Sequence, residues 1–127
     1  MEELMDKEKI LVVDDSPTEL KIMSEPFIPK GYNIITAMDG EEAIKMAEEE
    51  KPDLIVLDVI MPKMNGFQVC RKIKTTPELK DIKIILLTSK NQESDEFWGM
   101  KQGADAYMTK PFDPDKLLDK AREILEL

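Results

Sequence analysis

Five side chains that could take part in chemistry stand at the ends of short β-favouring runs in this sequence. In chain order they are Asp14, Asp15, Asp58, Thr88 and Lys110. Together they offer three carboxylates, a hydroxyl and an ammonium group. Carboxylates hold hard cations, and hydroxyl and ammonium groups stabilise charge that develops on oxygen atoms. If the fold gathers these groups, they form a site for metal-assisted chemistry on an anion.

The runs that precede these residues explain why the residues should meet. The run over 54–57 is wholly apolar and stops at a carboxylate, and similar runs cover 10–13, 84–87 and 106–109. Runs without polar alternation suit strands that are buried on both faces of a parallel sheet. The carboxyl ends of parallel strands share one edge, where open α/β folds bind their ligands. The sequence therefore predicts that the five groups converge in one crevice.

Three carboxylates in one crevice repel each other, and a bound cation relieves the cost of ionising them. Mg²⁺ is the expected ion, since it prefers oxygen ligands and keeps several waters. The adjacent pair Asp14-Asp15 can present one side chain directly and one through water. Asp58 should add a third oxygen, and the backbone carbonyl of Ile60 is expected to add a fourth.

Lys110 and Thr88 supply what phosphoryl transfer requires beyond the metal. Its transition state is stabilised by positioning and by positive charge on the equatorial oxygens. A carboxylate in such a site can act as the nucleophile and become an acyl phosphate. Asp58 is the best candidate because apolar residues flank it, whereas the adjacent aspartates are better placed to hold the metal.

Composition limits the classes of function. The 127 residues fit one domain, and a net charge of −9 without a basic cluster disfavours direct nucleic-acid binding. The absence of histidine excludes Ser-His and Cys-His catalysis, the common zinc sites and a phosphohistidine carrier. No apolar run approaches the roughly 20 residues of a membrane span. The acidic start does not resemble a signal peptide, and the single Cys70 excludes an internal disulfide. We therefore expect a cytoplasmic protein that does not associate with membranes.

Strand-like runs alternate five times with helix-like segments, a pattern typical of a parallel sheet with helices on both faces. Strands are predicted over 9–14, 32–37, 54–58, 83–88 and 107–110, and helices are predicted to start at Ser16-Pro17, Asp39-Gly40, Asn65, Asn91 and Asp113-Pro114. A capping box over 16–19 should open the first helix. Pro26 should kink or end it, because proline removes a backbone donor.

The fourth helix should end at Gly103. Phe97, Met100 and Ala104 share helical spacing and are predicted to lie in the core. Trp98 could mark a partner surface, but a tryptophan packed partly against a helix is the commoner case.

The ordered set of strand-end residues resembles the signature of response-regulator receiver domains, the CheY-like family of two-component signalling. The matching residues, in order and spacing, are Asp14-Asp15, Asp58, Thr88-Ser89 and Lys110-Pro111. Met61-Pro62 and Asn65-Gly66 resemble that family's next loop, and Tyr107 falls at its switch aromatic. The resemblance extends from residue 9 onward. Residues 91–104 also resemble stand-alone receivers of twitching-motility and chemotaxis-like pathways.

The resemblance implies an α/β fold, namely a doubly wound (βα)₅ flavodoxin-like three-layer sandwich with strand order 2-1-3-4-5. Residues 1–8 would form a short tail and 9–127 the receiver domain. Asp58 would accept a phosphoryl group from a sensor histidine kinase or a histidine phosphotransfer protein, with Mg²⁺ as cofactor and help from Thr88 and Lys110. Thr88 and Tyr107 would act as the switch for a downstream target that binds the face of the fourth helix, fifth strand and fifth helix. The Lys110-Pro111 peptide would be cis.

Two other functions use a similar set of residues. A metal-dependent phosphohydrolase of the dehalogenase-like type also forms a phosphoaspartate, but it carries a second carboxylate two residues after the nucleophile, where this chain has Ile60. A pseudo-receiver would share the fold and signal without phosphate, and the complete cluster argues against it. Taken singly, Asp15 could start a helix and Lys110 could be a solvated surface residue. The shared sheet edge favours the joint interpretation, which is a signalling module and not an enzyme.

Overall fold

The computed structural model describes residues 8–126 and contains a five-stranded parallel sheet with helices on both faces. The strands are β1 (Lys9–Val13), β2 (Asn33–Ala37), β3 (Leu54–Leu57), β4 (Lys83–Thr88) and β5 (Ala106–Thr109), and the helices are α1 (Pro17–Ser24), α2 (Gly40–Glu50), α3 (Gly66–Thr75), α4 (Glu93–Lys101) and α5 (Pro114–Leu125). The strand order is β2-β1-β3-β4-β5. The predicted doubly wound (βα)₅ fold and its strand order are confirmed. The predicted tail lies outside the described residues except for Glu8.

Two apolar layers hold the helices on the sheet, because successive strand residues point to opposite faces. Leu11 and Ile55 belong to the layer shared with α2 and α3, whereas Ile10 and Leu54 belong to the layer shared with α1 and α5. All four side chains are fully buried. The central strands therefore need apolar residues at every position, which is why their runs lack polar alternation.

Local signals set the bounds of α1. The Ser16 hydroxyl caps the helix by accepting a hydrogen bond from Glu19 N at 3.3 Å. The helix ends at Ser24, because Pro26 has no N–H to donate to a further turn. The chain leaves through Gly31 at φ 88°, a left-handed conformation that glycine adopts without steric cost. The prediction that Pro26 ends this helix is confirmed.

Side-chain caps also open three of the other helices. Asp39, Asn65 and Asp113 each accept a hydrogen bond from a backbone N–H in the first turn of α2, α3 and α5, respectively. Asn65 and Gln68 form a complete capping box. Among the helices within residues 8–126, none is both long enough and apolar enough to cross a membrane.

The fourth helix departs from the prediction in its start and in its faces. It begins at Glu93, two residues later than predicted. Phe97 and Met100, which were expected in the core, have exposed fractions of 62% and 44%. Trp98 is also exposed, at 54%. The predictions for Phe97 and Met100 are therefore wrong, because the spacing rule assumes that the apolar side of a helix faces inward.

The inward side of α4 carries small and polar residues instead. Gly99 is the buried residue within the helix, and Gln102, the residue that caps its end, is only 7% exposed. Gly103 follows at φ 103° and ends the helix as predicted. Ala104 is buried, as predicted, in the turn after the helix.

Candidate functional site

Backbone hydrogen bonds that continue the sheet ladders place the predicted site residues side by side. β1 and β3 are parallel neighbours, and just beyond their pairing Asp58 donates its N–H to Val13 O at 3.0 Å. Asp14, the residue that follows β1, therefore lies beside Asp58. In the same way Lys110 N donates to Thr88 O at 2.9 Å beyond the β4–β5 pair. The sheet register brings these residues to one edge.

The Lys110 ammonium group lies among three carboxylates. Its Nζ is 2.7 Å from Asp14 Oδ2, 3.1 Å from Glu19 Oε1 and 3.6 Å from Asp58 Oδ2. The Lys110 side chain is only 15% exposed, so solvent screens these interactions less than it screens ion pairs on an open surface. The peptide bond from Lys110 to Pro111 is cis, as the resemblance implies.

Asp14, Asp15 and Asp58 form an acidic cluster that could hold a cation. Each offers a carboxylate oxygen within 4.8 Å of the other two, with Asp14 and Asp58 buried and Asp15 exposed. Oxygens around Mg²⁺ lie about 3.0 Å apart when adjacent and about 4.2 Å apart when opposite, given ligand distances of about 2.1 Å. The three oxygens, within 4.8 Å of one another, are therefore near the spacing that ligation of one such ion requires. An all-oxygen set that carries three negative charges fits a hard divalent cation.

Ile60 approaches the site through its backbone. Its N–H donates to Asp58 Oδ1 at 3.2 Å, and its side chain is exposed. This bond orients the Asp58 carboxylate. Coordination of the metal by the Ile60 carbonyl stays a prediction.

Thr88 and Tyr107 are joined through the loop between β4 and α4. Thr88 is fully buried at the end of β4, and its Oγ1 accepts a hydrogen bond from Lys90 N at 3.3 Å. The Tyr107 hydroxyl donates to Lys90 O at 2.8 Å. Burial, reinforced by the charges of Asp95 and Glu96, raises the pKa of Tyr107 to about 12. The two predicted switch residues thus bond to the backbone of the same residue, Lys90.

Comparison with known proteins gives the family. A family model described as the response regulator receiver domain matches residues 10–122. The chain belongs to this family. It is a phosphoacceptor module of two-component signalling.

Relatives of this receiver differ in length. It is 46% identical over 117 residues to the alkaline phosphatase synthesis transcriptional regulatory protein PhoP of Bacillus subtilis. That alignment covers 92% of this chain and 48% of PhoP. It is 39% identical over 117 residues to protein PilH of Pseudomonas aeruginosa, with 92% and 97% covered. The chain thus spans about half the length of PhoP and nearly all of PilH.

A solved structure of the chemotaxis response regulator CheY4 of Vibrio cholerae matches the receiver with a TM-score of 0.85 and 32% identity, covering 92% of this chain and 98% of that one. The match to CheY4, a chemotaxis response regulator, agrees with the predicted resemblance to receivers of chemotaxis-like pathways.

Ionisation of the Asp58 carboxyl group is unfavourable in the folded receiver. Burial raises the pKa of Asp58 above its ordinary value of 3.8, and the charge of Asp14 adds to the rise, although Lys110 and the Thr88 hydroxyl oppose it. For Lys110, burial lowers the pKa. Hydrogen bonds to Asp14 and Glu19 and the charge of Asp58 outweigh burial, so the pKa of Lys110 lies above 10.5. The protonated Lys110 ammonium group therefore lies beside the Asp58 carboxylate, and ionisation of Asp58 lowers the stability of the fold.

The substitution Asp58→Asn is expected to raise the free energy of unfolding of the metal-free receiver at pH 7. Because the pKa of Asp58 is higher in the folded than in the unfolded chain, the folded chain binds more protons between the two pKa values, and stability falls as pH rises through that interval. The advantage of the variant should be small near pH 3.8 and should grow toward neutral pH. Urea unfolding in EDTA, measured at a series of pH values, checks this. An advantage that is equal at every pH would contradict the raised pKa.

Glu19 is the residue of the site that the sequence interpretation missed. The spacing of Ser16 and Glu19 predicts a capping box, in which the Glu19 carboxylate accepts from Ser16 N. Instead Ser16 N donates to Asp14 Oδ1 at 2.9 Å, and the Glu19 side chain reaches Lys110. Half of the predicted capping box is therefore wrong. The available signal was the position of Glu19, one turn into a helix that starts at the acidic edge of the sheet.

Proposed function

We propose that Asp58 is the phosphoacceptor of this receiver and that its donor is a phosphohistidine on a sensor histidine kinase or a histidine phosphotransfer protein. An Asp58 carboxylate oxygen attacks phosphorus, a P–O bond forms, and the P–N bond of phosphohistidine breaks. The electron pair of the broken bond stays on the imidazole nitrogen. The product is an acyl phosphate on Asp58.

One observation carries this proposal: the Lys110 ammonium group lies 2.7 Å from Asp14 and 3.6 Å from Asp58. Tethered by Asp14, it is placed beside the oxygen at which a phosphoryl group would arrive. A fixed positive charge there stabilises the equatorial oxygens of the transition state. The buried Thr88 hydroxyl stands on the neighbouring strand as a further donor.

Asp14, Asp15 and Asp58, with the Ile60 backbone carbonyl, are the proposed holders of Mg²⁺. The 4.8 Å cluster of carboxylate oxygens supports this assignment. When bound, the ion would neutralise the acidic cluster and offset charge on the phosphoryl oxygens. Exposed Asp15 can act through a water molecule, whereas buried Asp14 keeps its bonds to Lys110 and Ser16 N.

The proposed switch consists of Thr88 and Tyr107, and the proposed target surface is the face of α4, β5 and α5. A groove of about 470 Å³ on this face is lined by Glu96, Tyr107, Met108, Thr109, Pro111, Phe112, Asp113 and Lys116. Because Tyr107 forms part of its wall and also bonds to Lys90 O, a change at Thr88 that moves Lys90 would reshape the groove.

We further propose that the receiver unit spans residues 9–127, acts in the cytoplasm, and does not turn over an external substrate. The match over residues 10–122 supports the domain bounds. The single, buried Cys70 suits a reducing compartment.

The test is labelling with acetyl phosphate and Mg²⁺, followed by intact-mass measurement and peptide mapping of the hydroxylamine-labile group. We expect one phosphoryl group per chain, located on Asp58, and no label when EDTA replaces Mg²⁺. A label on another residue would overturn the assignment of Asp58. Absence of label with Mg²⁺ present would favour a pseudo-receiver. Release of many equivalents of phosphate from p-nitrophenyl phosphate would favour a phosphohydrolase.

A further inference from the structure

On the side of helix α4 that faces the sheet, the buried position is a glycine. The exposed surface of the helix carries Phe97, Trp98 and Met100, whereas Gly99 is the buried residue within the helix. Buried helix positions are ordinarily filled by large apolar side chains that pack against the sheet. Here the neighbouring space is filled from the sheet itself.

The group that fills this space is the ring of Tyr107, together with Leu86. A Cβ atom added at Gly99 would lie 2.9 Å from Tyr107 Cδ2, 3.1 Å from Tyr107 Cε2 and 2.9 Å from Leu86 Cδ1. Nonbonded carbon atoms pack at about 3.5–4.0 Å. Residue 99 therefore has no room for a side chain while the Tyr107 ring lies under α4.

The opposite end of Tyr107 is fixed as well. Its hydroxyl donates to Lys90 O at 2.8 Å, and Lys90 N donates to Thr88 Oγ1 at 3.3 Å. The ring position under α4 is thus tied through Lys90 to Thr88, at the edge of the sheet where Asp58 and Lys110 lie.

We propose that Gly99 is a positioning residue that holds Tyr107 in its Lys90-bonded position by leaving space for the ring beneath α4. Any larger residue at position 99 forces the ring outward or lifts α4 from β5. The inference rests on the proposed switch role of Tyr107 and extends it to a residue that touches neither the phosphoryl site nor the target groove.

Helix propensity and packing make opposite predictions for Gly99→Ala, which makes the test decisive. Alanine is the better helix former, so propensity alone predicts that the variant melts at a higher temperature. The contacts with the Tyr107 ring predict that it melts lower, by about 4 °C. In a Tyr107→Ala background the ring is absent, and the same substitution should raise the melting temperature.

A second readout reports on the ring directly. In a Tyr32→Phe background, Tyr107 is the remaining tyrosine, and its ionisation can be followed by ultraviolet absorbance. At pH 11 a tyrosine of pKa about 12 is about one-tenth ionised, and one of ordinary pKa about 10 is about nine-tenths ionised. Gly99→Ala should move Tyr107 toward the second value, and Ser94→Ala on the exposed side of α4 should not. Circular dichroism at pH 11 verifies that each variant is folded.

The inference is overturned if Gly99→Ala raises the melting temperature and leaves Tyr107 protonated at pH 11. It is also overturned if the substitution lowers stability equally with and without the Tyr107 ring, since Leu86 would then be the obstacle. If Gly99→Ala alone does not fold, the double variant with Tyr107→Ala should fold, and its failure to do so would count against the inference. Neither readout involves phosphate, so loss of labelling at Asp58 would refute the proposed function without affecting this result.

Discussion

Asp58→Asn is expected to lower the rate of phosphorylation by acetyl phosphate by on the order of 10⁴-fold, which is below detection. The substitution keeps the shape of the side chain and removes the anionic oxygen that attacks phosphorus. It also removes a buried carboxylate whose ionisation destabilises the fold, so the variant should be at least as stable as the wild type at pH 7. A loss of labelling in this variant therefore reports on chemistry and not on unfolding.

The matched control is Asp119→Asn, which makes the same chemical change at an exposed position of α5. It should label at the wild-type rate with the same requirement for Mg²⁺. A mass gain that survives in Asp58→Asn and is sensitive to hydroxylamine would place the acyl phosphate on another carboxylate. Exposed Asp15, which shares the acidic cluster, would then be the first candidate.

The parts of the structure that could be predicted from the sequence are those set by local rules and by the shared edge of a parallel sheet. The apolar runs specify strands, and their ends specify the positions of Asp14, Asp58 and Lys110 because parallel strands finish on the same edge. Proline and side-chain caps specify helix ends, as Pro26 and Asn65 illustrate. No distant partner has to be known for any of these inferences.

Which face of a helix is buried depends on the neighbouring elements, and the pattern within the helix does not reveal it. Phe97 and Met100 have the spacing of core residues, yet both are exposed, because the inward side of α4 has to accommodate the Tyr107 ring from β5. A pattern within one helix contains no information on the size of a residue that enters from a strand. Gly99 was the available signal, since a glycine inside a helix is costly unless a close approach requires it.

Glu19 illustrates a second kind of failure, in which one residue fits two local interpretations. A glutamate three residues after a helix cap satisfies the capping-box pattern, and it can equally reach a cation across the sheet edge. The Lys110 ammonium, buried among acidic groups and 15% exposed, offers a stronger partner than the Ser16 N–H. Electrostatics from a distant strand thus overrides the local pattern.

Gly66→Ala is expected to lower the free energy of unfolding by about 3 kcal/mol, the upper end of the usual cost of overpacking. Gly66 is the first residue of α3, and its N–H donates to Val59 O, in the loop of residues 58–65 between β3 and α3, at 2.9 Å. A Cβ atom there would overlap the Asp58 carbonyl oxygen and lie 2.7 Å from Val59 Cα. These are backbone atoms that cannot rotate away, so either α3 or the loop that orients Asp58 has to move.

Urea unfolding followed by circular dichroism measures the loss of stability, and labelling by acetyl phosphate measures the displacement of Asp58. Thr18→Ala is the control, because it places an alanine in the exposed first turn of α1 and should leave both quantities nearly unchanged. If Gly66→Ala is as stable as the wild type but is labelled slowly, the loop of residues 58–65 has moved and α3 has not. Wild-type values for both stability and labelling would show that α3 can shift away from β3 freely, and that close packing against this helix does not hold the loop of residues 58–65 in position.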